Sequence, residues 1–228
     1  MLQQTQVPRV TEKFQEWMRC FPTWQTLAAS ELGDVLKIWS GLGYNRRAKF
    51  LHQSAQIVIT QYKGKLPRDP TLLQKLPGIG PATAASIAAF GFEAPTVFIE
   101  TNIRAVYLHH FCAGQYDVAD SKLIPLITAT LDKQSPRRWY SALMDYGTHL
   151  KSLHSNPARR SHHHVRQSKF EGSARQLRGK VLRSVLHAPQ KEMQLLKLGT
   201  PARVQSVLTA LEQEGLISKK RGVWRAGD

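Results

Sequence analysis

Leu76-Pro77-Gly78-Ile79-Gly80-Pro81-Ala82-Thr83-Ala84-Ala85 is the stretch that decides how this chain folds. Two glycines flank one apolar residue. Glycine alone enters positive φ at no steric cost, so the backbone can turn sharply there with its N–H groups exposed. Pro81 stands where a helix takes its first residue, and Ala82 to Phe90 is a compact helical run closed by Gly91. With Leu72, Leu73 and Leu76 as a short preceding helix, the pattern predicts helix, hairpin, helix. A helix N-terminus behind a glycine turn favours an anion, because its N–H groups and its dipole both attract negative charge. Phosphate is the natural guest, and Gly78, Ile79, Gly80 and Ala82 are the candidate contacts of a sequence-independent clamp on one nucleic-acid strand. A plain corner between two helices carries the same pattern, and the stretch alone does not separate the two.

Composition narrows the partner. The chain has 228 residues, of which 42% are hydrophobic, enough for a real core and too many for a disordered chain. No apolar run approaches the ~18 residues of a membrane span, and the polar N-terminus shows no signal peptide. Cys20 and Cys112 are the only cysteines, which argues against a disulfide framework and for a reducing compartment. Lys and Arg number 32 against 16 Asp and Glu, a net charge of +16 that points to a polyanion, nucleic acid ahead of membrane. Residues 1–150 hold 16 basic and 11 acidic side chains and residues 151–228 hold 16 and 5, so +11 of the excess lies in the tail.

Leu76-Pro77-Gly78-Ile79-Gly80, followed by Phe98-Ile99-Glu100-Thr101-Asn102-Ile103-Arg104, resembles the helix-hairpin-helix DNA glycosylases, the superfamily of endonuclease III and the adenine glycosylase MutY. The opening Met1-Leu2-Gln3-Gln4-Thr5-Gln6-Val7 is similar to the MutY motif in which a glutamine pushes into the duplex beside the extruded base. The resemblance gives that wedge role to Gln4, with Gln3 beside it; a polar helix start has the same composition. In MutY relatives the acid that protonates the adenine lies two residues before the position of Met1, and this sequence does not contain it. The expectation is either a truncated N-terminus or a chain that works without that acid.

Val10, Phe14, Trp17, Met18 and Phe21, then Trp24, Leu27, Leu32, Val35, Leu36 and Trp39, recur at helical spacing and are expected in the core. Ser40-Gly41-Leu42-Gly43-Tyr44-Asn45-Arg46-Arg47 is a glycine-rich loop before a basic helix start. By the resemblance this loop supplies a minor-groove wedge, which makes Tyr44 the wedge and Arg46 and Arg47 candidate phosphate contacts; a buried Tyr in an interhelical turn is the plainer alternative. Endonuclease III relatives carry a Schiff-base lysine two residues past the second hairpin glycine. Here that residue is Ala82, whose methyl is no nucleophile, so no such lyase is expected and water must attack.

Glu100 is the candidate carboxylate. Thr96-Val97-Phe98-Ile99 before it and Ile103 and Val106 after it imply a largely buried setting, with Thr101 or Asn102 capping the helix that starts there. In the family an aspartate at this position stabilises the oxocarbenium-like sugar and activates water, tasks an anionic general base can combine. Glutamate is one methylene longer, and a displacement of ~1 Å can cost ~100-fold in rate. Asn102 matches the family residue that helps hold the water or the sugar.

Trp139 to Gly147 resembles the segment before the family's iron–sulfur loop, but Lys151, Ala158 and Ser161 stand where the first three cysteines belong and no thiolate follows Cys112. A cluster needs soft ligands, so no cofactor is expected. His162-His163-His164 lacks spaced partners, and no metal site is expected from it. The remainder of the chain predicts three helices, a basic one starting in the stretch Phe170 to Leu182, one from Glu192 to Leu198, and one capped by Thr200-Pro201 and running to Glu214. A two-stranded hairpin over Leu216 to Arg225 follows, with Gly222 in or near its turn. That order resembles a winged helix, with Lys219, Lys220 and Arg221 as candidate DNA contacts; a protein-binding winged helix fits equally.

The sequence therefore predicts an all-α helix-hairpin-helix glycosylase domain over 1–160 and a small basic winged-helix-like domain over 161–228. The resemblance implies a monofunctional, monomeric, cytoplasmic (prokaryotic) enzyme without a metal or cofactor, removing mispaired adenine from double-stranded DNA. The alternatives are a glycosylase for another base and a DNA-binding or damage-sensing module that has lost catalysis.

Overall fold

A computed structural model describes residues 1–3, 5–153 and 155–227. The chain divides into two compact units, residues 1–66, 76–78 and 168–228 in one, residues 67–75 and 79–167 in the other. Helices α1 (Val7–Cys20), α2 (Trp24–Ala28), α3 (Leu32–Trp39) and α4 (Arg46–Tyr62) open the first unit. The second contains α5 (Pro70–Leu73), α6 (Pro81–Phe92), α7 (Thr101–Phe111), α8 (Asp120–Thr130) and α9 (Pro136–Leu153). The chain then returns to the first through α10 (Ala174–His187), β1 (Gln190–Lys191), α11 (Glu192–Leu196), α12 (Pro201–Gln213), β2 (Ile217–Lys220) and β3 (Val223–Ala226). The fold is thus helical with one small antiparallel sheet of order β1-β3-β2.

The sequence divides the chain at 160/161, whereas the compact units follow the cores. Val35, Leu36 and Trp39 of α3 belong to the same hydrophobic cluster as Val181 and Val185 of α10, Leu208 and Leu211 of α12, and Trp224 of β3. Two further contacts seal this union. Lys49 Nζ donates to the carbonyl of Glu214 at 2.7 Å, and Gly33 lies so close to Ala226 that an added Cβ would stand 2.9 Å from the alanine methyl. The wing is as its sequence implies: Arg221 (φ 50°) and Gly222 (φ 75°) form the turn between β2 and β3, the two left-handed positions that a tight hairpin of matching twist requires. Strand β1, paired through Gln190 and Trp224, is an addition that two residues could not announce by periodicity.

The second unit is built on α7, whose Ile103, Val106, Tyr107 and Leu108 are buried and pack with Leu123 and Ile127 of α8 and Tyr140, Leu143 and Leu150 of α9. Phe98 lies against Tyr140 at 4.2 Å between ring centroids, and the Tyr140 hydroxyl donates to the carbonyl of Thr96 at 2.9 Å. Among the described residues no helix is long and apolar enough to cross a membrane.

Several local expectations change. Val10, Trp17 and Phe21 are buried, but Phe14 and Met18 are 51% and 43% exposed, because α1 rests chiefly on α3 and buries only the stripe facing it. Helix α6 passes through Gly91 and ends at Phe92, where Glu93 takes the left-handed position (φ 55°) and its N–H closes on the carbonyl of Ala88.

Candidate active site

The hairpin between α5 and α6 uses its two glycines differently. Gly78 is left-handed (φ 73°), and an added Cβ would stand 2.4 Å from the Phe50 ring, so both conformation and space demand glycine. Gly80 has ordinary extended geometry (φ −86°, ψ 175°), contrary to the expectation that both glycines turn the chain through positive φ. It caps α6 without any side chain, and a Cβ there would meet nothing within 4 Å. Neither conformation nor packing within the chain calls for glycine at 80. What its hydrogen preserves is open approach to the first turn of α6, where Ala82 sits just behind Pro81, the arrangement that suits an anion.

At the start of α7, Glu100 is itself the cap, a role the sequence had assigned to Thr101 or Asn102. Its backbone is extended (φ −134°, ψ 178°), and its Oε1 accepts from the backbone N–H of Asn102 at 2.6 Å and of Ile103 at 2.9 Å. A carboxylate in this place is held by two oriented donors and by the positive end of the helix. The other oxygen, Oε2, faces the side-chain amide Nδ2 of Asn102 at 3.5 Å. Asn102 in turn offers its Oδ1 to α9, where Lys151 Nζ donates to it at 2.5 Å and the Thr148 hydroxyl stands at 3.5 Å. Burial lowers the Lys151 ammonium below the ordinary lysine range while the negative charge of Glu100 acts in the opposite sense.

This cluster depends on a close approach of α9 to α7. Gly147 is buried, and a Cβ on it would lie 2.4 Å from the backbone oxygen of Asn102. Thr148 and Lys151 follow on the same side of α9 at helical spacing. Periodicity therefore held the signal for Lys151: Leu143, Gly147 and Leu150 form the buried stripe, and a lysine on such a stripe needs a partner.

The loop after α9 is closed by hydrogen bonds. Arg160, at the end of a 3-10 turn over Pro157–Arg160, donates to the carbonyls of Leu108 at 2.6 Å and Cys112 at 2.8 Å, satisfying the end of α7. Ala158 and Ser161 are buried here, and Leu150 packs in the core, while Leu153 is 62% exposed. Lysine, alanine and serine do not form a thiolate set, so these positions do not fit an iron–sulfur cluster. Among the described residues no group of three or more His, Cys, Asp or Glu is placed to hold a metal ion.

In the other unit, Gly41 (φ 94°), Gly43 (φ 75°) and Tyr44 (φ 49°) all take left-handed backbone, which lifts Tyr44 out of the turn to 44% exposure. Arg47 is half-buried and its guanidinium is turned inward: it donates to the carbonyls of Met1 (3.2 Å) and Gln3 (2.6 Å) and to the Thr5 hydroxyl (3.2 Å), and lies over the rings of Trp39 and Tyr44. This brings Gln3 and Tyr44 to one place. Gln4 lies outside the described residues. Arg46 is more exposed and stands 4.0 Å from Glu214, which also receives Arg178 at 2.5 Å. On the wing, Lys219 pairs with Glu192 at 2.5 Å and lies over the Trp224 ring, while Lys220 and Arg221 occupy the end of β2 and the turn.

Residues 1–123 match the HhH-GPD superfamily base excision DNA repair protein family. This chain belongs to that superfamily. A curated relative, the adenine DNA glycosylase of Mycolicibacterium smegmatis, is 30% identical over 96% of this chain and 82% of its own length. The adenine DNA glycosylases of Buchnera aphidicola and Homo sapiens are each 34% identical, over 69% and 64% of this chain but only 45% and 28% of their own lengths. The chain therefore spans less than half of those two. Among solved structures, a trapped endonuclease III–DNA covalent intermediate aligns over 73% of this chain and 72% of its own with a TM-score of 0.55 at 20% identity, and a thermostable thymine-DNA glycosylase over 64% and 69% with 0.55 at 21%. At that identity the likeness establishes the HhH-GPD fold.

Proposed function

We propose that this HhH-GPD protein is a monofunctional DNA glycosylase that hydrolyses the N-glycosidic bond of adenine mispaired in double-stranded DNA. The observation that carries the proposal is the setting of Glu100: a carboxylate at the head of α7 with Oε1 held by two backbone N–H groups and Oε2 beside the Asn102 amide. Such an anion faces the positive charge that develops on the sugar as the base departs, and the same oxygen accepts the proton of the water that attacks the anomeric carbon. The C–N bond breaks, a C–O bond forms, and the strand stays intact because Ala82 offers no amine. The proton that the departing adenine takes up balances the one Glu100 removes from the attacking water, and solvent carries it between them.

The supporting features have separate tasks. Gly78, Ile79, Gly80 and the start of α6 hold one phosphate; Gln3, Gln4 and Tyr44 enter the duplex around the extruded base; Lys219, Lys220, Arg221 and Arg46 add charge along the backbone of the DNA, with Arg47 fixing the segment that carries Gln3. The protein works as a monomer in the cytoplasm of a prokaryote and without iron. Near-full-length similarity to an adenine DNA glycosylase supports the choice of base.

The test is to incubate duplexes carrying adenine opposite guanine or opposite 8-oxoguanine, with fully paired controls, and to measure free base chromatographically. Free adenine released from the mispaired duplexes, with strand breaks appearing only after alkali, is expected. Tight binding to the mispaired duplex with no base released from a panel of lesions would replace this reading with a damage-sensing module.

A further inference from the structure

The Lys151 ammonium reaches from α9 to the start of α7. It donates to Asn102 Oδ1 at 2.5 Å, and Thr148 Oγ1 reaches the same oxygen at 3.5 Å from one turn earlier. An ammonium has donors only, so it can face the oxygen of an asparagine amide and not its NH2 group. The orientation of the Asn102 side chain follows: with Oδ1 on Lys151, Nδ2 is left facing Glu100 Oε2 at 3.5 Å. Glu100 cannot turn to avoid this, because Oε1 is committed to the backbone of Asn102 and Ile103. Burial penalises the Lys151 ammonium, and the neighbouring negative charge of Glu100 is what favours it.

We propose that Lys151 is a positioning residue of the active site, holding the Asn102 amide so that its NH2 group fixes Glu100 Oε2 for attack by water. Lys151 touches neither sugar nor water; it acts through Asn102. Thr148 Oγ1 lies near the same oxygen but gives its proton to the carbonyl of Met144 at 2.9 Å, so the orientation falls to Lys151, and Gly147 sets the distance from which it reaches Asn102. This inference rests on the role given to Glu100 under the proposed function, and the experiment separates the two.

The variants are Lys151→Met, which keeps most of the apolar stem and removes all donors, and Lys151→Gln, which restores a neutral donor. Each is measured in the full chain by single-turnover base release, by affinity for an uncleavable mispaired duplex, by thermal unfolding, and by the side-chain 15N–1H resonances of Asn102, assigned by their loss in Asn102→Asp. Displacement of a reacting group by ~1 Å costs ~100-fold. Lys151→Met should therefore release base about 10- to 100-fold more slowly with duplex affinity unchanged, its Asn102 NH2 resonances should shift or broaden, and Lys151→Gln should recover part of both. Glu100→Gln runs beside them. If Glu100→Gln abolishes release while Lys151→Met is as fast as the parent, with Asn102 resonances unmoved, Lys151 has no positioning role and the proposed function stands. Should the parent release no base, the proposed function fails, and the Asn102 resonances still decide: unmoved in Lys151→Met, they overturn the positioning role too. If Lys151→Met does not fold, Lys151→Leu, which also lacks a donor, carries the same tests.

Discussion

Replacing Gly147 with alanine puts a methyl where the backbone of Asn102 already lies. The added Cβ would stand 2.4 Å from the Asn102 oxygen and 2.8 Å from both its carbonyl carbon and its Cβ. Ordinary contact begins about 1 Å further out, and the obstacle is a helix backbone that cannot swing aside, so α9 must withdraw from α7. Overpacking of this kind costs ~1–3 kcal/mol. Alanine is otherwise the better helix former by ~0.5–1 kcal/mol, so the cost needs a reference. Gly91 supplies it: it lies in α6 of the same unit, and a Cβ there meets nothing within 4 Å. Gly147→Ala should thus fall below Gly91→Ala by ~1–3 kcal/mol, which for a chain of this size is roughly 2–12 °C in Tm. Because the displaced backbone is the one whose N–H holds Glu100 Oε1 at 2.6 Å, base release should slow by up to ~100-fold. Calorimetry or circular-dichroism melting and single-turnover release measure the two effects. Equal stability of the two variants, with release unimpaired in Gly147→Ala, would refute the close approach on which the site geometry rests.

Three further outcomes follow from the same contacts. Arg104 holds the Asp120 carboxyl below the usual carboxylate range through paired hydrogen bonds of 2.8 and 2.7 Å; its stabilisation is full above the unfolded value of ~3.9 and lost as pH falls through the lower folded value, so Asp120→Asn should flatten the acid limb of a stability–pH curve, which denaturation between pH 2 and 6 reads directly. Burial pushes Tyr140 up to about 12, so its contribution is full below ~10 and lost as pH rises through the folded value, and Tyr140→Phe should lessen alkaline destabilisation in that window. On the wing, Lys219→Ala, Lys220→Ala and Arg221→Ala together should lower the log–log salt slope of duplex binding by up to ~2.7; an unchanged slope in the triple variant removes the wing from the DNA-binding surface.

Much of this was legible in the sequence, and the failures have physical causes. Gly78 and the hairpin could be read because positive φ leaves glycine nearly alone, but the same reasoning over-reached at Gly80, whose extended backbone any residue can adopt. The wing followed from Arg221-Gly222 between short alternating strands, whereas the shared core of α3 and α10 depends on contacts between residues some 140 apart, which local periodicity cannot register. Phe14 shares helical spacing with Val10 and Trp17, and Met18 with Phe14 and Phe21, and only the neighbours around α1 decide which of them is covered. The cap of α7 falls on Glu100 rather than on Thr101 or Asn102, the commoner capping types, because its carboxylate reaches the N–H groups of Asn102 and Ile103. Lys151 was read only as the absence of a cysteine; its meaning appears once Gly147 brings α9 against Asn102.

The central claim is that Glu100 performs the chemistry rather than merely capping α7, and Glu100→Gln tests it most directly. A glutamine oxygen can still accept from the N–H groups of Asn102 and Ile103, so the fold and duplex affinity should remain near the parent. Single-turnover release of adenine from a mispaired duplex, followed by alkali cleavage, should then fall by at least ~100-fold, the scale of losing a general base. Release at the parental rate in a folded Glu100→Gln protein would contradict the assignment, leaving Glu100 as a structural cap.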